Sequence, residues 1–368
     1  MEKEICLIKN YLTMDKINKL QKILSKKKLD GLLVSNITNV QYLSGFTGSS
    51  ADLLVTPKET YFITDSRYIE QAQKEIKNGF EFVKEEKGLV ETLKKLLQKQ
   101  GLENLGLETD SLTYNQYQEL VQELSFIELI PTCGLVQKLR LIKDEDEIHK
   151  IKHACQIAED AFKVLLPLIK DGINEHDIAI ELEYLIKKKG GEIAFETIVL
   201  SGRHSSLPHG KPSNKKLALG DFILFDWGAK YKGYNCDLTR TLLLGSPTHR
   251  QKLVYQTVKN AQEEALENLN PGVKFAQLDK IARERIGKSG LKRFFGHSLG
   301  HGVGLEIHEL PKIGHLSKSA VKSGMVLTIE PGVYIPSFGG VRIEDTVLIT
   351  DKGHKVLTDK VSKELIVL

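Results

Sequence analysis

Two stretches about a hundred residues apart carry the same acidic pattern, and this repeat restricts the fold more than any other feature of the chain. In GDFILFDWGAKYKGYNCDLTRT, residues 220–241, an apolar run from Phe222 to Phe225 leads to Asp226. A Gly-containing turn region follows, and Asp237 opens the alternating run Leu238, Arg240, Leu242 that reads as the returning strand. In SGMVLTIEPGVYIPSFGGVRIEDTVLIT, Gly324 precedes Glu330 by six residues, as Gly220 precedes Asp226, and Glu344 opens the return strand as Asp237 does. Upstream, each copy starts with a long amphipathic helix, turns at Gly172 or Gly272, and runs a second helix to Gly190 or Gly287.

A carboxylate that closes a buried strand costs free energy unless it is paired or bound to metal. A duplicated unit with two such acids per copy predicts four carboxylates meeting near a pseudo-twofold axis. Without cations, their mutual repulsion would keep some of them protonated. Two divalent cations would neutralise them, which is the simpler reading.

The 368 residues suffice for two domains, each with its own core. With 41% hydrophobic and 27% charged residues, the composition is that of a soluble globular protein. Basic and acidic residues number 52 and 48 without a long basic block, so neither nucleic acid nor a membrane surface is implied as a partner. No apolar run approaches the ~18–20 residues of a membrane span. The N-terminus MEKEICLIKNYLTMDKINKL offers no signal-peptide core, and Cys6, Cys133, Cys155 and Cys236 are scattered without a C-x-x-C pair. Together these point to the cytoplasm. Cys236 abuts Asp237, but alternation turns it away from the acids.

The N-terminal part reads as an α/β domain over residues 1–135, with residues 1–13 an extension ahead of a helix from Asp15 to Leu24. Strands GLLV, DLLVT and TYFIT and the segments near 80–83 and 105–107 alternate with helices. GFTGSS, residues 45–50, lacks the G-x-x-x-x-G-K-[ST] spacing and is expected to be a structural turn or the rim of a cleft, not a phosphate loop. Residues 131–143 read as a connection, and an α+β domain follows over residues 140–368. His149 and His153 stand at i and i+4 on its first helix, but Lys150 occupies the position of the H-E-x-x-H glutamate, so a solvated face is the expectation.

Between the two hairpins lies FFGHSLGHGVGLEIHELP, residues 294–311, with His297, His301 and His308 among glycines that let backbone approach a site closely. Three histidines so placed, bracketed by acidic hairpins, point to at least one metal ligand.

With these segments in view, the chain resembles the metallopeptidases of the pita-bread (creatinase/aminopeptidase-like) fold, in the branch that holds aminopeptidase P and prolidase. The resemblance is loose over residues 14–130 and tight over 200–346. The family's two Asp, one His and two Glu fall on Asp226, Asp237, His301, Glu330 and Glu344, within FDWG, CDLTRT, GHGVGLEIHE, IEPG and RIED. It implies that Asp237 and Glu344 bridge two divalent ions, that Asp226 chelates one, and that His301 with Glu330 completes the other. Mn(II) is the foremost ion, with Co(II), Zn(II) or Fe(II) as alternatives, since ligand type alone does not choose between them. A water between two such ions is acidified toward ~7, and Glu330 would handle its proton.

The resemblance further implies catalytic roles for His209 in SSLPHGKPS and for His308, which would contact substrate and stabilise an oxyanion. His297 matches a third histidine near the cleft. Arg342 lies two residues before Glu344 and so on the same strand face, where it could pair with an acidic ligand or receive a substrate carboxylate. Arg342 and Asp345 also set the chain apart from the methionine aminopeptidase branch, which generally has Gln there. The implied activity is removal of an N-terminal residue before proline by a homodimer acting on short peptides. The alternative is an Xaa-Pro dipeptidase with a carboxylate clamp using Arg342 and histidines. A different class, a metal-free or non-catalytic binding protein of this fold, typically lacks several of the five ligands that this chain keeps.

Overall fold

The computed structural model describes the backbone of residues 2–368 and the side chains of residues 13–368. It divides into two compact units, Met1–Arg140 and Leu141–Leu368. Residues 1–13, read as an extension ahead of a helix from Asp15, instead hold the first part of that helix, which runs Glu2–Lys27; the side chains before Thr13, Cys6 among them, lie outside the described residues.

The first unit contains α1 (Glu2–Lys27), β1 (Leu32–Val34), α2 (Ile37–Ser44), β2 (Asp52–Val55), β3 (Thr60–Thr64) and α3 (Ile69–Glu75). It continues through β4 (Glu81–Lys84), α4 (Leu89–Gln100), β5 (Asn104–Glu108), α5 (Tyr114–Glu123), β6 (Glu128–Thr132) and α6 (Leu135–Arg140). The strands form one mixed sheet in the order β4-β3-β2-β1-β5-β6. Leu93, Leu96 and Leu97 of α4, spaced by three and four residues, and Leu120 of α5 pack on Leu33, Ile63 and Leu107 of the sheet. Residues 131–143, read as a connection, instead hold the end of β6 and the whole of α6. Pro131 obscures that strand in the sequence, but β6 lies at the sheet edge, where a missing N–H is tolerated. GFTGSS is a turn: Gly45 caps α2 with φ 78°, and Thr47 donates through both its N–H and its hydroxyl to the Glu75 carboxylate at 2.7 Å. Both Thr47 donors are therefore taken by a carboxylate.

The second unit begins with α7 (Glu145–Leu165), α8 (Glu175–Lys188), β7 (Glu192–Ile193) and β8 (Ile198–Ser201). Next come β9 (Phe222–Trp227), β10 (Ala229–Tyr231), β11 (Tyr234–Asn235), β12 (Leu238–Leu243), α9 (His249–Glu267) and α10 (Phe275–Gly287). It ends with β13 (Gly300–Gly302), β14 (Glu309–Ile313), β15 (Val326–Ile329), β16 (Gly332–Ile335), β17 (Gly339–Arg342), β18 (Asp345–Thr350) and β19 (Gly353–Val356). Asp144 starts α7 with a reciprocal capping box to Glu147. The core runs between α9, α10 and the strands of the second copy, including Phe275, Leu278, Leu327, Ile329 and Val347.

The repeat holds in the backbone bonds that start the second helix of each copy. Gly172 N–H donates to Leu217 O as Gly272 N–H donates to Val321 O, and Glu175 N–H to Lys215 O as Phe275 N–H to Ser319 O. Both copies form an antiparallel hairpin whose return strand starts one residue after its acid, at Leu238 and Asp345, while the register differs: β9–β12 pairs Asp226 with Thr239, and β15–β18 pairs Thr328 with Thr346. The turn region between Asp226 and Asp237 is itself a hairpin, β10–β11, whose tip Lys232-Gly233 has φ 48° and 86°. Positive φ at both tip residues suits a type I′ turn. Glu344 N–H donates to Thr239 O, tying the second copy to the first beside the acids.

Candidate metal centre

A cavity of about 1080 Å³ in the second unit is lined by Asp226, Asp237, His301, Glu330 and Glu344, and also by His209, His297, His308 and Arg342. The structure thus brings every residue singled out for the site to one place. Strand alternation explains the two return-strand acids. Asp237 and Glu344 each sit just before an apolar strand, with side chains on the face shared by the two hairpins, and both are buried at 5% and 2% exposure.

The potential ligand atoms form overlapping trios, each with all its atoms within 4.8 Å of one another. One is Asp226, Asp237 and Glu344; a second is His301, Glu330 and Glu344; a third is Asp237, His301 and His308. Glu344 is common to the first two. His301 Nε2 lies 3.4 Å from Glu330 Oε1 and 3.6 Å from Asp237 Oδ2. Its Nδ1 is 3.0 Å from Gly302 O and must carry the proton there, which leaves the Nε2 lone pair facing the acids. Burial lowers the His301 pKa to about 4, so at neutral pH the ring is neutral and able to ligate.

Burial, with Glu344, Asp226 and Glu330 adjacent, raises the Asp237 carboxyl well above the usual carboxylate range. Burial does the same to Glu344, reinforced by Glu330 and Asp226. Glu330 is pushed up to about 8, again by burial first. Asp226 Oδ1, Asp237 Oδ1 and Glu344 Oε1 are buried with no hydrogen-bond partner. Three orphaned carboxylate oxygens beside an imidazole lone pair are costly in an apolar setting and fit divalent cations well.

Two hydroxyls and a guanidinium hold three of these acids. Thr239 donates to Glu344 Oε2 at 2.6 Å, and Thr328 donates to Glu330 Oε1 at 3.2 Å while accepting from His301 N–H at 3.0 Å. Arg342 pairs through Nη2 with Asp226 Oδ2, and donates through Nε to Thr239 Oγ1 at 2.9 Å and through Nη1 to the Tyr334 hydroxyl at 2.7 Å. Of the two roles open to Arg342, pairing with an acid is the one its geometry adopts. The Tyr334 hydroxyl is in turn 3.0 Å from His297 Nε2, and His297 Nδ1 lies 2.8 Å from Ser298 O. Burial and the Arg342 charge hold His297 down to about 4. The His308 ring packs 4.3 Å from that of His301, and burial lowers its pKa too.

Tyr334, Thr239 and Thr328 escaped the sequence reading. Thr239 follows Asp237 by two and so shares its face, a signal that alternation did provide. Tyr334 reaches the site through the β16–β17 hairpin, where it pairs with Gly340, and nothing in its local sequence marks this. His153 takes no part: it packs 4.1 Å from the Tyr231 ring. Cys236 is buried, and its sulfur accepts from Ala229 N–H at 3.3 Å.

Residues 149–351 match the model of metallopeptidase family M24, and residues 16–142 match that of the Creatinase/Prolidase N-terminal domain. The chain belongs to metallopeptidase family M24. Among M24 relatives, an Xaa-Pro dipeptidase of Pyrococcus horikoshii is 39% identical over 358 residues, covering 96% of this chain and 99% of that protein. A solved Xaa-Pro dipeptidase from Bacillus anthracis superposes with a TM-score of 0.93 at 41% identity, covering 97% of this chain and 100% of its own. An X-Pro aminopeptidase from Thermotoga maritima superposes with a TM-score of 0.86 at 38% identity, covering 93% and 98%. The pita-bread fold that the resemblance implies is therefore the fold of this M24 chain, and its class of activity is that of a metal-dependent peptidase.

Proposed function

We propose that this chain hydrolyses the Xaa-Pro bond of short peptides, dipeptides first, with two divalent cations held by Asp226, Asp237, His301, Glu330 and Glu344. The observation that carries the reading is the meeting of three unpartnered buried carboxylate oxygens with the His301 Nε2 lone pair in one cavity. Two bound cations would supply Lewis acidity to the scissile carbonyl and acidify an attacking water.

The chain's own residues do the rest. Glu330, ionised once cations replace its proton, would take a proton from the attacking water and return it to the proline nitrogen. That nitrogen carries no N–H in the substrate, so a site for Xaa-Pro bonds cannot depend on a hydrogen bond from it. His209 and His308 stand on the cavity wall, where imidazole N–H groups can donate to the developing oxyanion. Arg342 holds Asp226, and Thr239 holds Glu344, so each acid turns its free oxygen toward the cluster.

The names of the Pyrococcus and Bacillus relatives support the dipeptide reading. A longer-peptide reading is favoured by one observation: the Arg342 guanidinium is bound to Asp226, Thr239 and Tyr334 and is not free to clamp a terminal carboxylate. In a dipeptidase that role would fall to Lys312 and the histidines of the same cavity. The test is hydrolysis of an Xaa-Pro dipeptide beside the matching tripeptide, after Mn(II) or Co(II) is added to stripped protein. Preference for the dipeptide is expected; cleavage of the tripeptide alone would assign an aminopeptidase. We place the activity in a reducing cytoplasm, a reading that the free thiols of Cys133, Cys155 and Cys236 support.

A further inference from the structure

We propose that Glu175 and Asp279, on the equivalent helices α8 and α10, are positioning residues that set His209 and His297 on the cavity wall. The inference rests on the Xaa-Pro peptidase reading for the roles of those histidines. Neither acid lines the cavity, both are 0% exposed, and the chemistry described above uses neither.

Glu175 closes a loop. Its Oε1 accepts from Ser201 N–H at 2.6 Å and from the Ser201 hydroxyl at 2.8 Å. Its Oε2 accepts from Ser213 N–H at 3.2 Å and from the Ser213 hydroxyl at 2.7 Å, and lies 3.3 Å from His204 Nδ1. Ser201 and Ser213 are the two roots of the loop that carries Pro208 and His209. One carboxylate therefore pins both ends of a segment that, beyond the 3-10 turn Gly202–Ser206, has little regular pairing of its own.

Asp279 acts likewise in the second half. Its Oδ1 accepts from Leu299 N–H at 3.2 Å, and its two oxygens accept from Arg283 at 2.6 and 3.1 Å. Arg283 then donates to Phe295 O at 2.9 Å and to His297 O. The acid and its arginine thus grip the backbone on both sides of His297.

The two helices begin in the same register, yet Glu175 is the first residue of α8 while Asp279 lies one turn inside α10. Duplication of one ancestral residue does not produce acids on different turns. The halves instead share an arrangement in which a buried carboxylate on the helix makes charge-assisted bonds to the backbone of a loop that carries a cavity histidine. Bonds of this kind hold a reacting group to the tolerance that catalysis needs, where a displacement of about 1 Å can cost about 100-fold in rate.

The test is a set of double-mutant cycles on the metal-loaded, full-length protein, using kcat/KM for an Xaa-Pro dipeptide and metal content by elemental analysis. Glu175→Gln should lose about tenfold or more in kcat/KM with metal content unchanged. Added to His209→Ala it should cause no further loss, whereas added to His297→Ala the losses should multiply. Asp279→Asn should show the reverse pattern. Losses that multiply in all four combinations, or wild-type kcat/KM in either single variant, would overturn the proposal. If the wild-type protein turns over no Xaa-Pro peptide, the activity reading fails while the Glu175 anchor can still be read from trypsin cleavage after the exposed Arg203. Faster cleavage in Glu175→Gln but not in Asp279→Asn supports that anchor, and equal rates in all three proteins refute it.

Discussion

Thr239 Oγ1 donates to Glu344 Oε2 at 2.6 Å and in the same geometry accepts from Arg342 Nε at 2.9 Å. One hydroxyl thus holds one oxygen of the acid shared by two of the ligand trios and leaves the other oxygen, Oε1, without a partner. Thr239→Val keeps the shape and removes both bonds. It should cost about 1–3 kcal/mol through the unsatisfied Arg342 donor and Glu344 acceptor. Calorimetric titration of Mn(II) into stripped protein should show weaker binding. Wild-type affinity would mean that Thr239 does not orient Glu344.

Arg342 is 4% exposed and faces the Asp226 carboxylate, the Tyr334 hydroxyl and Thr239. Arg342→Met leaves a buried acid without its counter-charge and should destabilise the second unit by about 3–5 kcal/mol. Arg342→Lys can restore the pair with Asp226 but not the fork, and should recover part of that loss. Urea denaturation read at Trp227, a buried residue of this unit, follows it. Equal stability of the Met variant and wild type would count against a pairing role.

The acids were legible because an apolar run ending in a carboxylate is unusual and the pattern occurs twice. His297, His301 and His308 were legible from their density among glycines, whereas His209 was reached through the family resemblance alone. Thr239 was within reach of the same alternation, but threonine is common in strands for packing reasons and so draws no attention. The Tyr334 position depends on which residues the β16–β17 hairpin sets opposite each other, a long-range matter. In the first unit, Pro131 argued against a strand that the sheet edge in fact tolerates, and the six residues of α6 are too few to display a helical period.

Gly228 is packed against the backbone that carries Asp237. A Cβ there would lie 2.1 Å from Cys236 O, with the Phe195 ring and Ala194 also crowding it. Gly228→Ala must therefore move Cys236 and with it Asp237, and metal affinity should fall by about tenfold or more, on the scale of a disturbed ligand setting. Titration of Mn(II) into both proteins checks this. Unchanged affinity would show that the β10–β11 hairpin can yield without moving the acid.

In the metal-free protein Glu330 has its carboxyl raised from 4.5 to about 8 by burial. Between those values the folded protein keeps a proton that the unfolded chain has released, so stability falls as pH rises through the window. Cations replace that proton and remove the penalty. The gain in Tm on adding Mn(II) should therefore grow from about pH 5.5 to 8, as followed by differential scanning calorimetry. A gain that is constant or shrinks with pH would contradict the assignment of Glu330 to the metal cluster.

The proposed Xaa-Pro hydrolysis rests on five side chains holding two cations. The most direct test is to titrate metal-stripped protein with Mn(II) while following both bound metal and turnover of an Xaa-Pro dipeptide, in the wild type and in Glu344→Ala. Wild-type turnover should rise from nothing and level off near two bound equivalents, while the variant should bind less metal and stay inactive. Turnover without metal, or full activity in Glu344→Ala, would contradict this assignment.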